Sequence, residues 1–135
     1  MELTNAVRVS ATGLRAQSLR MRIIAENLAN ADSVAQTPGG DPYRRRVASF
    51  RADVDRASGA TGVEVRSIDG DRSAFTRVYQ PGSPAADAQG YVQRPNVNTL
   101  VEAADMKAAQ RSYEANLNAI EAAKSLTLRT IDLLK

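Results

Sequence analysis

Asp69, Asp71 and Asp87 stand in segments rich in turn formers, and their carboxylates are the first groups to test for chemistry beyond packing. A calcium loop needs oxygen ligands at regular alternate positions and a closing Glu. Asp69-Gly70-Asp71 has no such continuation, and Asp in a turn is explained by its side chain bonding to nearby backbone. Gly39-Gly40 follows Pro38 but lacks the Lys-Ser/Thr of a phosphate-binding loop. Ser58–Gly62 reads as a flexible link. Arg44-Arg45-Arg46 is a basic triplet in or beside a strand. Guarding a sheet edge against mispairing, or an ion pair with a neighbouring subunit, accounts for it better than a nucleic-acid contact. The chain has no His and no Cys, which removes imidazole bases, catalytic triads, thiolate nucleophiles, disulfides and Cys-ligated metals. No enzyme, cofactor or metal is expected.

Composition sets the scale of what can hold the fold together. The 135 residues are one domain's worth of chain, and aromatic residues are only 4% of them. Any core must therefore be small and built from Val, Leu, Ile and Ala. Net charge is +3, with the excess in the first 51 residues. Arg8, Arg15 and Arg22 recur there every seven residues with no interleaved aromatics. That spacing describes a solvated helix face or an ionic contact with a protein partner. An Arg-rich helical nucleic-acid-binding protein remains the alternative of a different class. No stretch approaches the roughly 18 apolar residues of a membrane span, and no cleavable secretory leader is expected.

Proline and glycine divide the chain. All five Pro lie between 38 and 95, and seven of the eight Gly lie between 39 and 90. The first segment, 1–37, carries a predicted helix from about Thr4 to Asn30. Val7, Leu14, Met21 and Leu28 recur every seven residues, with Ala11, Ser18 and Ala25 four residues after the first three. That is the period of a helix packed lengthwise on another. Asn30 is placed to cap its end. The last segment, 99–135, carries a helix from about Leu100 to Leu134, with Thr99 as N-cap and Glu102 completing a capping box. Its two series are Met106, Tyr113, Ile120, Thr127, Leu134 and Gln110, Leu117, Lys124, Ile131. The fold expected is mainly α, with long terminal helices packed as a coiled-coil-like pair. A small β-rich insert occupies 38–98, with strands over Tyr43–Asp53, Val63–Ile68, Phe75–Tyr79 and a short piece at Tyr91–Arg94. A hairpin turn is expected at Asp69-Gly70. Two such helices cannot bury both stripes alone, which predicts completion by other chains.

Several motifs then resemble one family. Ala25-Glu26-Asn27-Leu28-Ala29-Asn30-Ala31 is similar to the Asn-Leu/Ile-Ala-Asn-Ala/Thr motif near the start of bacterial flagellar rod and hook proteins. The stretch Tyr79–Val97 (YQPGSPAADAQGYVQRPNV) resembles the segment before the last helix in proximal rod proteins. Gln110–Asn116 resembles the Arg-Ser/Ala-Tyr-x-Ala-Asn motif on that helix, and Asp32-Ser33-Val34 and Pro42-Tyr43-Arg44 also match. The resemblance departs at Asn98, where the family usually has Asp, and at Glu102-Ala103, where it usually has Glu-Met. The stretch between Asp53 and Ala74 matches poorly, so its strand register stays open.

The resemblance implies a structural subunit of the basal-body proximal rod, polymerising helically into the drive shaft that crosses the periplasm and transmits torque. A sibling rod subunit is the nearest alternative. The implied partners are the chain itself, other rod proteins, a rod-base adaptor at the MS ring and export gate, and the flagellar type III export apparatus that delivers it without signal cleavage. Neither nucleic acid nor membrane insertion is implied. Helix packing and subunit contact are expected at Val7, Leu14, Met21, Leu28, Tyr113, Leu117, Ile120 and Ile131. Polar contacts between subunits or at helix ends are expected at Asn27, Asn30 and Arg111.

Overall fold

The computed structural model describes residues 2–135. Two long helices enclose the strands in sequence: α1 is Glu2–Ala29, β1 Arg46–Val54, β2 Thr61–Gly70, β3 Thr76–Tyr79, β4 Tyr91–Arg94 and α2 Thr99–Leu133. Both helices are free of Pro and rich in Ala, Leu and charged residues, which lose little on entering a helix. The chain falls into two compact units, one of Met1–Met21, Ala48–Ser67 and Lys107–Lys135, the other of Arg22–Val47 and Ile68–Met106.

In the first unit the helical segments run antiparallel. Gly13 of α1 lies against Asn116 of α2, so close that a Cβ at position 13 would meet the Asn116 side chain at 2.7 Å. Further along, Leu3 and Val7 line a depression together with Ile120, Lys124 and Leu128. The strands join α1 through Thr12, whose hydroxyl donates to the Val9 carbonyl at 2.6 Å and accepts the Val63 N–H at 3.1 Å. Arg8 reaches Asp55 at 2.6 Å.

The strands form two two-stranded sheets, β1 with β2 and β3 with β4. This differs from the hairpin expected at Asp69-Gly70. The turn lies instead at residues 55–60. Asp55 accepts the Ala57 N–H and the Ser58 hydroxyl, each at 2.9 Å, and Gly59 takes a φ of 74° that suits glycine. Gly70 is not among the positive-φ glycines, so it supplies no primed turn. The chain runs on to Asp71, whose N–H donates to the Arg45 carbonyl at 2.7 Å.

In the second unit β3 and β4 are antiparallel, with Val78 opposite Val92 and Tyr79 opposite Tyr91. Val92 is buried; the two tyrosine rings meet edge to face at 5.3 Å. Among the described residues the buried apolar core side chains are Ala16, Ala109 and Ala123 in the first unit and Ile23, Ile24, Ala85 and Val92 in the second, small aliphatic interiors of the kind an aromatic-poor sequence requires.

The helix ends correct one expectation and refine another. The N-cap of α2 is Asn98: its side-chain oxygen accepts the Leu100 and Val101 N–H groups at 3.1 and 3.3 Å. Thr99 is the first helical residue, and the Glu102 side chain turns elsewhere. At the end of α1 the Asn30 side-chain amide donates to the Glu26 carbonyl at 2.8 Å, beside the Asn30 N–H that the same carbonyl accepts at 3.1 Å, and no left-handed conformation is used.

Candidate structural site at Asn27, Arg45 and Glu102

In the second unit, the last turns of α1, the start of β1 and the first turn of α2 meet at Asn27. This side chain is fully buried. Its oxygen accepts the Tyr43 hydroxyl at 2.7 Å and the Arg46 N–H at 3.0 Å. Its amide donates to the Arg46 carbonyl at 2.9 Å and to Glu102 at 3.5 Å. An Asn amide has two donor hydrogens and two acceptor lone pairs, and here all are engaged. Asn27 thus treats Arg46 as a strand treats its neighbour.

The fully buried Glu102 carboxylate also receives Arg45 Nε. The same guanidinium reaches Asp71 at 3.1 Å and Asp105 at 3.7 Å. The Glu102 hydrogen bond raises the already high pKa of Arg45, and burial raises that of Tyr43. Asn96 closes the opposite side: its oxygen accepts the Arg45 N–H at 2.8 Å, and its amide donates to the Asp71 and Ser73 carbonyls at 3.0 and 3.1 Å. Asp71 is held below the usual carboxylate range, first by the Ser73 backbone N–H and then by Arg45.

All three arginines of the basic triplet are therefore engaged. Arg44 donates to the Asp71 carbonyl at 2.6 Å and lies 4.2 Å over the Phe75 ring. Arg45 serves Glu102, and Arg46 reaches Glu26 at 3.0 Å. A guanidinium used this way is not offered to a phosphate backbone, which disfavours the nucleic-acid reading. Among the described residues no His, Cys, Asp or Glu cluster has the arrangement of a metal site, and no helix is long and apolar enough to cross a membrane. The arrangement is a polar clamp that ties two helix ends to a strand; it holds structure and activates nothing.

Of the residues expected to matter, Asn27 stands at the centre of the clamp and Asn30 at the adjoining helix end. Arg111 is exposed on α2. Val7, Leu14, Met21, Leu28, Tyr113 and Ile120 are half-buried within the chain, while Leu117 and Ile131 are 39% and 49% exposed. Among the described residues the most buried apolar helix positions are Ala16, Ile23, Ile24, Ala109 and Ala123. Sequence reasoning missed Tyr43, Arg45, Asn96 and Glu102 as one constellation. Their signals were present but separate: an Arg beside a strand, an Asn after a Pro, and a Glu assigned to a cap.

A clamp of this kind, tying the ends of two long helices to a strand, is the site of a structural protein. Comparison with known proteins gives the particular family. Residues 7–35 match the model described as flagella basal body rod protein, and residues 88–133 match that of the flagellar basal body rod FlgEFG protein C-terminal. The chain is 49% identical to the flagellar basal-body rod protein FlgC of Agrobacterium fabrum, over 98% of this chain and 96% of the relative. It is 41% identical to FlgC of Salmonella typhimurium over 98% of each. FlgC of Bacillus subtilis is 37% identical over the whole of both chains. The chain belongs to the FlgC family of flagellar basal-body rod proteins. These are structural rod subunits and not enzymes.

Proposed function

We propose that this rod subunit polymerises helically with itself and with other rod proteins, and that the resulting tube is the drive shaft that carries torque across the periplasm. The observation that carries this reading is the exposed apolar surface of α2. Leu117, Leu126, Leu128, Ile131, Leu133 and Leu134 are 39% to 85% exposed. Leu117, Leu128 and Ile131 share one side of α2, Leu126 and Leu133 lie on the other, and Leu134 follows its end; exposed apolar surface of this extent is characteristic of an interface that takes a partner. Coiled-coil-like seams formed by Val7, Leu14, Met21 and Leu28 with Tyr113, Leu117, Ile120 and Ile131, within and between subunits, follow from the same surface. Contacts that repeat without closing generate a helical filament. In this reading 38–98 is the β-rich insert between the two helices in sequence. The subunit reaches its place through the type III export apparatus without signal cleavage, and meets a rod-base adaptor near the MS ring.

A clean deletion in the source bacterium, with electron microscopy of basal bodies, tests it. Loss of rod, hook and filament with the inner-membrane ring intact, restored by complementation, is the expected result. Normal hooks and swimming would overturn it.

A further inference from the structure

We draw no further inference here: the strongest candidate, the apolar depression between α1 and α2 that Leu3, Val7, Ile120 and Leu128 line in the first unit, belongs to the helix surface already read as the rod interface, and nothing in the structure shows what covers it.

Discussion

Asn27 holds both backbone polar groups of Arg46 in one amide plane, accepting the N–H at 3.0 Å and donating to the carbonyl at 2.9 Å. No aliphatic side chain reproduces that pair, and the isosteric Asp lacks the donor. Asn27→Leu strands the Arg46 N–H and carbonyl together with the Tyr43 hydroxyl. Stability should fall by about 2–4 kcal/mol, since a buried group left without its partner costs about 1–3 kcal/mol. Denaturant unfolding of the purified chain followed by circular dichroism measures this; an unchanged midpoint would refute the clamp.

The two residues at the start of α2 can be told apart. Asn98→Ala should cost about 1 kcal/mol because it removes the acceptor for two helix N–H groups. Thr99→Ala should change stability by less than about 0.5 kcal/mol. Equal effects from the two substitutions would return the capping role to Thr99.

Glu102 can be probed by size and charge. Glu102→Gln keeps one oxygen for Arg45, whereas Glu102→Ala leaves Arg45 dependent on Asp71 and Asp105. Breaking a buried pair costs about 3–5 kcal/mol, and the partly exposed Arg45 brings the expected loss for Ala to the low end. Thermal melts should rank wild type above Gln and Gln above Ala.

Acid should loosen the fold through three carboxylates. Backbone N–H groups hold Asp55, Asp71 and Asp87 below their ordinary range, with Ala57, Ser73 and Tyr91 respectively as the leading donors. A carboxylate depressed in the folded state contributes stability above its unfolded pKa, about 3.9. That contribution is lost as pH falls through the lower folded value. Urea midpoints should hold from about pH 7 to pH 5 and drop below about pH 4. In Asp71→Asn the drop should be shallower.

The close approach at Gly13 makes a graded prediction. A Cβ there meets the outer atoms of the Asn116 side chain, which can swing aside, so Gly13→Ala should be close to neutral. Gly13→Leu must move the helix backbone and should cost about 1–3 kcal/mol. Adding Asn116→Ala should relieve much of that loss.

The long helices and the break between them could be read in the sequence because seven-residue periodicity and proline placement are local signals. The strands were legible, but their pairing was not. Asp69-Gly70 carries turn chemistry by composition, yet Asp55 and Gly59 make the turn, and only the pairing partner distinguishes them. The clamp was hidden for a related reason. Asn27, Arg45, Asn96 and Glu102 lie far apart along the chain, and each had an adequate local explanation. The heptad positions were visible as well. The deepest apolar burial on the helices falls instead on Ala16, Ile23 and Ala109, outside the expected series.

Among the described residues, four of the seven buried core side chains are alanines. Such an interior offers few methylenes to withdraw from water, so a modest pulling force applied at one end of the polypeptide would draw it apart with little mechanical work. Stiffness under load would then be a property of many copies bearing on one another, and a single copy would stay pliant until its neighbours arrive.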